Sequence, residues 1–149
     1  MDFEALRSGL AQAIPYNGHL GLELVEVAPG RGVVKLPDAQ QLHNHVGSQH
    51  AGALFSAGEF ASGGAFVGTF YERMGSITPL ARSAEIDYRK IAKGEITATA
   101  RLDGDDSGAL FERLEAEGRV EFPVEVELAD GDGQVVAAMT VHWHVRRNR

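Results

Sequence analysis

Cysteine is absent from the 149 residues of the chain. Disulfide bonds, thiolate nucleophiles and zinc sites built on cysteine are therefore excluded. Positive charge is also scarce, since 14 lysines and arginines stand against 21 acidic residues and the net charge is −7. Because binding to a phosphate backbone needs clustered positive charge, we do not expect a nucleic acid as a partner.

Targeting signals are lacking at the N-terminus, which has neither the basic start nor the apolar run of a signal peptide. We therefore expect a soluble, cytoplasmic protein. Residues 51–71 are long enough to span a bilayer, but they carry Glu59 near their middle. A carboxylate at that depth is costly in lipid, so we expect a helix buried inside the fold and no membrane partner.

The run from Ala51 to Tyr71 contains one charged residue, Glu59. Desolvation of a carboxylate is unfavourable unless the group is paired or protonated, so Glu59 is either a structural partner or a working acid or base. The polar segment before the run, LHNHVGSQH at residues 42–50, leads into the predicted helix. This segment and Glu59 together form the candidate active site.

The pattern of apolar residues predicts one α+β domain over residues 1–149. Turn signals at Pro29-Gly30-Arg31, Ala92-Lys93-Gly94 and residues 130–133 predict three hairpins, and DGDDSG at residues 103–108 predicts a turn. One sheet of about six strands would then be covered by one long helix. Helices are expected at residues 2–13, about 50–74 and 109–117, and strands at residues 22–28, 32–36, 84–89, 95–102, 119–129 and 135–146.

Residues 44–59, NHVGSQHAGALFSAGE, resemble the N-x-x-G-x-x-H-G-G-x6-D/E signature of hotdog-fold acyl-CoA thioesterases of the phenylacetate-pathway (PaaI) type. The later strands are also similar, and the resemblance covers roughly residues 20–146. It is closest to an uncharacterised branch that reads HAG in place of HGG. The resemblance implies a hotdog fold, in which an antiparallel sheet wraps around one long central helix.

The same resemblance implies hydrolysis of an acyl-CoA thioester to a free acid and CoA, without a cofactor. Glu59 would be the general base or nucleophile, and the amides of Ala51 and Gly52 would form the oxyanion site at the helix start. Asn44 would position water or the substrate carbonyl, or else cap a turn. His50 would act as an acid or base, or else shape the loop.

Four basic residues lie on the segment where hotdog proteins usually meet the phosphates of CoA. The alternative is a solvated strand edge. Some relatives also carry a serine or threonine after the helix to hold water, at a position that falls near Ala81, with Ser83 two residues on. The four basic residues are Arg82, Arg89, Lys90 and Lys93.

Two histidine groups raise the question of a metal site. They are His43 and His45 with His50, and the pair His142 and His144, which would share one face of a strand. The resemblance implies no metal, and the second pair lacks an evident third ligand. We expect no metal and interpret the second pair as a surface or interface ladder.

The open edge of a hotdog sheet favours a homodimer or a dimer of dimers, because pairing covers the edge and builds the substrate cleft. A non-catalytic protein that binds acyl-CoA or fatty-acyl groups on the same fold is the alternative function. A hotdog dehydratase fits the spacing between Asn44 and Glu59 less well.

Overall fold

One long helix, α3 (Ala51–Phe70), packs against a six-stranded antiparallel sheet in the computed structural model, which describes residues 2–102 and 107–149. The strand order is β1-β2-β4-β5-β6-β3, so β1 and β3 form the two edges. The α+β hotdog architecture is confirmed. The strands are β1 (Glu23–Ala28), β2 (Arg31–Leu36), β3 (Ile77–Tyr88), β4 (Ile96–Arg101), β5 (Arg119–Ala129) and β6 (Val135–Arg147).

Three shorter helices surround this core: α1 (Phe3–Ala13), α2 (Pro15–His19) and α4 (Ser107–Glu117). The α-helical part of the long helix ends at Phe70, and the predicted last turn is a 3-10 helix, Tyr71–Ser76. Residues 103–106, most of the turn predicted at 103–108, lie outside the described residues. The last two residues of that segment already belong to α4.

The hairpin predicted around Ala92-Lys93-Gly94 is wrong. Strand β3 pairs with β6, whereas β4 pairs with β2 and β5, so the two consecutive strands do not touch as a hairpin. β3 also begins at Ile77, seven residues earlier than predicted. As an edge strand it is exposed along most of its length and lacks the alternating burial that marks half-buried strands.

Glycines bring α3 into backbone contact with the β1–β2 hairpin. A Cβ atom added at Gly32 would lie 2.2 Å from the carbonyl oxygen of Ala61, and one at Gly68 would lie 2.1 Å from that of Ala28. Only glycine permits such close approach. The small glycine and alanine side chains of the helix therefore allow it to pack very close to the sheet.

The opposite face of α3 is open along its N-terminal half. Residues four apart share a helix face, and this one carries Ala51, Phe55, Glu59 and Gly63, all at least partly exposed. Further along, Phe66 is buried and stacks on Trp143 with ring centroids 5.2 Å apart. The open face therefore ends where these aromatic rings cover the helix.

Strand β3 presents its two faces differently. Ala81 pairs with buried Trp143, so its side chain faces the helix side of the sheet, whereas Ser83 pairs with His142 on the outer side. A register shift between Ala81 and Ser83 makes Arg82 an extra residue in the strand. The hydroxyl of Ser83 is therefore on the face away from Glu59.

Candidate active site

The loop before α3 is organised by Asn44. Its Oδ1 accepts hydrogen bonds from the main-chain N–H groups of Val46 and Ser48, both at 3.1 Å, and its Nδ2 donates to the Ser48 hydroxyl at 2.9 Å. Gly47 has a φ of 79°, which allows the tight turn. The Asn44 amide thus builds the turn that leads into α3.

Gln49 fixes the position of this loop against the rest of the fold. Its Nε2 donates to the carbonyl oxygens of Pro37 and Gly94, each at 2.9 Å, and its main-chain N–H donates to the Ala92 carbonyl at 2.8 Å. The segment after β3 is therefore held beside the start of α3. This arrangement explains why that segment does not form a hairpin with β4.

His50 is the N-cap of α3. The main-chain N–H of Gly52 donates to Nδ1 of the His50 ring at 2.8 Å, so one of the free amides of the first turn is occupied. A Cβ atom at Gly52 would lie 3.1 Å from that nitrogen, which explains the glycine. A neutral imidazole that accepts at Nδ1 carries its hydrogen on Nε2.

Ala51 is the first residue of the helix, and its N–H has no acceptor in the described part of the chain. Its carbonyl oxygen accepts from the Tyr88 hydroxyl at 3.0 Å. Of the two amides predicted to form the oxyanion site, that of Ala51 is free and that of Gly52 is bonded to His50.

Glu59 lies two helical turns further along the open face and is partly buried. Its carboxyl group makes no hydrogen bond or ion pair with any residue in ranges 2–102 and 107–149. Burial raises the pKa of Glu59 above its ordinary value. A carboxyl group of this kind is a better proton acceptor, once ionised, than an exposed glutamate.

The helix start and Glu59 lie about two turns apart on the same face of α3. Ala51 and Glu59 are separated by eight residues, which is about 12 Å along the helix axis. The glutamate side chain leans toward the N-terminus, but it spans only part of that distance. A single chain thus presents the helix start and the carboxyl group on one open face.

The four predicted CoA-binding residues fall into two groups. Arg82 forms an ion pair with Glu121 on the outer face of the sheet. Arg89, Lys90 and Lys93 follow the end of β3, about 20 Å along the strand from Arg82, and are all exposed. Only the second group lies near the loop that leads into α3.

Three of the histidines lie beside acidic residues. His43 contacts Asp38 at 2.6 Å, His144 contacts Glu121 at 2.9 Å and His142 lies 3.5 Å from Glu85. The described ranges contain no group of three or more histidine, aspartate or glutamate residues that could hold a metal ion. They also contain no helix long and apolar enough to cross a membrane.

Two tyrosines contact the first turns of α3, and the sequence predicts neither contact. The Tyr88 hydroxyl donates to the Ala51 carbonyl oxygen at 3.0 Å. The Tyr16 hydroxyl lies 2.9 Å from Oγ of Ser56, which in turn donates to the Gly52 carbonyl. Nothing in the local sequence signals either contact, because both join segments far apart in the chain.

Comparison with solved structures places this site in context. PA5026 from Pseudomonas aeruginosa, described as a protein of unknown function and probable thioesterase, is 30% identical with a TM-score of 0.87, and the match covers 97% of this chain and 95% of that one. OLEI01261 from Chlorobaculum tepidum, of unknown function, is 15% identical with a TM-score of 0.85, covering 97% and 94%.

The E. coli PaaI protein from the phenylacetic acid degradation operon is 19% identical with a TM-score of 0.72, and the match covers 92% of this chain and 88% of that one. At this identity the likeness shows the fold alone. No curated protein is significantly similar in sequence. The family described as a domain of unknown function (DUF4442) matches residues 4–145, nearly the whole chain, and the protein therefore belongs to that family.

Proposed function

We propose that this protein hydrolyses acyl-CoA thioesters to a free acid and CoA. The observation that carries the proposal is the Glu59 carboxyl group, which lies unpaired among the described residues on the open face of a buried helix. Leaving a desolvated carboxyl unpaired costs stability, and such a cost is typical of functional groups. The 30% identical structural neighbour described as a probable thioesterase supports the same class of reaction.

Glu59 acts in this proposal as a general base. Its carboxylate takes a proton from a water molecule, and the oxygen of that water attacks the thioester carbonyl carbon. Negative charge develops on the carbonyl oxygen and is stabilised by hydrogen-bond donors. The C–S bond then breaks, and CoA leaves as a thiolate. Direct attack by the carboxylate is the nucleophilic variant of the same scheme.

The donors for the carbonyl oxygen lie at the start of α3. The Ala51 N–H is free among the described residues, and the helix dipole favours negative charge beside it. The Gly52 N–H becomes available only if the His50 ring moves, whereas the Nε2–H of that ring is a further donor near the helix start. Asn44 supports these groups by shaping the loop.

A homodimer completes the site. Strand β3 is twelve residues long, exposed and at the sheet edge, so it can pair with β3 of a second copy. Such a pair would let Glu59 of one protomer face the helix start of the other. The separation of about 12 Å along the axis within one chain favours that exchange.

The phosphates of CoA would bind at the exposed cluster of Arg89, Lys90 and Lys93, which lies beside the loop before α3. The phosphates of CoA are negatively charged, and the protein as a whole carries a charge of −7. Electrostatic attraction therefore favours this basic cluster over the rest of the surface. Arg82 is less suited, since its guanidinium is already paired with Glu121.

Non-catalytic acyl-CoA binding is the second candidate. Two observations favour it: His50 occupies the Gly52 N–H, and Ala81 offers no hydroxyl on the helix side of β3. The deciding experiment is a thiol-release assay over acyl-CoAs from acetyl to palmitoyl, with phenylacetyl and benzoyl, on wild type and Glu59→Gln. We expect release that falls at least about 10²-fold in the variant. Saturable binding without release would establish the binding protein instead.

A further inference from the structure

A continuous chain of hydrogen bonds crosses the first peptide unit of α3. The Tyr88 hydroxyl donates to the Ala51 carbonyl oxygen at 3.0 Å, and the Gly52 N–H donates to Nδ1 of His50 at 2.8 Å. The Ala51 carbonyl and the Gly52 N–H belong to the same peptide group. An edge-strand tyrosine is therefore connected to a candidate catalytic histidine through one peptide bond.

Hydrogen bonds in such a chain strengthen one another. A donor on the carbonyl oxygen polarises the peptide group and makes its N–H a stronger donor. Burial raises the pKa of the Tyr88 hydroxyl, so the phenol keeps its hydrogen and continues to donate. The stronger Gly52 N–H then favours the His50 tautomer that accepts at Nδ1 and carries hydrogen on Nε2.

We propose that Tyr88 is a positioning residue that holds His50 as an Nε2–H donor through the Ala51–Gly52 peptide. This inference rests on the proposed thioesterase function for its catalytic consequence, in which Nε2–H donates a hydrogen bond to the thioester carbonyl oxygen. Its structural part, the control of the His50 tautomer, does not depend on that function. Tyr88 itself does not touch the reacting atoms.

Tyr16 provides a matched control on the other flank of the helix. Its hydroxyl donates to Ser56, because the Ser56 hydrogen is used on the Gly52 carbonyl. These hydrogen bonds end on the carbonyl oxygen of the Gly52–Ala53 peptide group. The N–H of the same peptide group, that of Ala53, donates to the His50 carbonyl oxygen. Tyr16→Phe therefore removes a hydroxyl at the same helix end without affecting the Gly52 N–H.

The test compares wild type, Tyr88→Phe and Tyr16→Phe by NMR of protein labelled with ¹⁵N, in alkaline buffer. We expect the wild-type His50 ring to show the Nε2–H tautomer. In Tyr88→Phe the Gly52 amide proton should shift upfield and the Nδ1–H tautomer should gain population. Tyr16→Phe should leave the Gly52 and His50 signals unchanged. An unchanged tautomer in Tyr88→Phe would overturn the proposal, whether or not the protein is a thioesterase.

The kinetic readout uses the same three proteins with the best substrate of the acyl-CoA panel. Tyr88→Phe should lower kcat roughly tenfold, less than direct loss of an oxyanion donor, and leave KM nearly unchanged. Tyr16→Phe should retain wild-type kcat. A tautomer change with unaltered kcat would overturn the catalytic role of Tyr88. Wild type without any thiol release would instead refute the proposed function, and the NMR result would still decide the tautomer.

Discussion

The Nδ1 atom of His50 lies 2.8 Å from the main-chain nitrogen of Gly52 and accepts its hydrogen. The candidate catalytic histidine is thus also the cap of the helix that carries Glu59. Capping and catalysis make different demands on the ring, because the cap uses Nδ1 and the proposed substrate contact uses Nε2. Substitutions at this position can separate the two roles.

Replacement of His50 should reveal the cap as a contribution to stability. His50→Ala removes the acceptor for the Gly52 N–H, and we expect the free energy of unfolding to fall by about 1 kcal/mol. His50→Asn keeps an acceptor at the N-cap and should restore most of that loss. Urea denaturation of the three proteins measures the difference. Equal stability of the alanine and asparagine variants would contradict the capping role.

The free N–H of Ala51 can be removed without breaking the helix. Proline is tolerated at the first helical position, and His50 already has the extended backbone, with ψ of 141°, that a residue before proline prefers. Ala51→Pro should keep the fold and lower kcat about 10²-fold through loss of one oxyanion donor. Ala51→Gly keeps the N–H and should remain active. Normal thiol release by the proline variant would exclude this amide from the site.

A mixture of two inactive proteins tests whether the site is shared between copies. Ala51→Pro and Glu59→Gln chains are refolded together so that heterodimers form. In the proposed arrangement, one of the two sites of each heterodimer then combines an intact helix start with an intact carboxylate. We expect thiol release to reappear in the mixture. A site contained in one chain would leave the mixture as inactive as its two components.

The raised pKa of Glu59 links stability to pH with a defined sign. In the range between the ordinary carboxyl pKa and the raised one, the folded state binds more protons than the unfolded state, so the free energy of unfolding falls as pH increases. Glu59→Gln lacks this titration and should be more stable than wild type at neutral pH. The two proteins should converge as pH falls through the ordinary carboxyl range, and chemical denaturation at a series of pH values measures this. If the free energy of unfolding of wild type rises with pH relative to that of Glu59→Gln, the carboxyl group of Glu59 is not destabilised by burial.

Gly68 and Gly63 should respond to alanine in opposite ways. A Cβ at Gly68 would meet the Ala28 carbonyl oxygen at 2.1 Å, so Gly68→Ala should destabilise the fold by about 3 kcal/mol. A Cβ at Gly63 meets only Trp143, at 3.9 Å, and Gly63→Ala should stabilise the helix by about 0.5–1 kcal/mol. Thermal and urea unfolding measure both changes. Similar values for the two variants would show that backbone contact does not fix the helix.

Local pattern was enough to predict most of the elements. The hairpin signals at Pro29-Gly30-Arg31 and at residues 130–133 correspond to the observed β1–β2 and β5–β6 pairs. The third signal failed because Ala92 and Gly94 bond to Gln49 instead of closing a hairpin. Pairing between distant strands depends on tertiary contacts that a local turn motif does not encode.

The candidate site was predicted less completely than the fold. The spacing from Asn44 to Glu59 predicted a loop followed by a helix that carries the carboxylate, and the structure has that loop before α3 and Glu59 on the open half of the helix. The side-chain partners could not be predicted, since the contact of Tyr88 with Ala51 spans 37 positions of sequence. Such contacts follow from the strand order, which brings the end of β3 back to the start of the helix.

The glycine contacts between α3 and the β1–β2 hairpin have a mechanical consequence. Where backbone meets backbone at Gly32 and Gly68, no layer of side chains can change rotamer and yield space. The face of the helix that contacts the β1–β2 hairpin is therefore rigid. Side chains that move to accommodate a larger or smaller ligand must lie on the β3 side. Changes in ligand preference should therefore map to β3 and the segment that follows it, while the inner face of the helix stays small and constant.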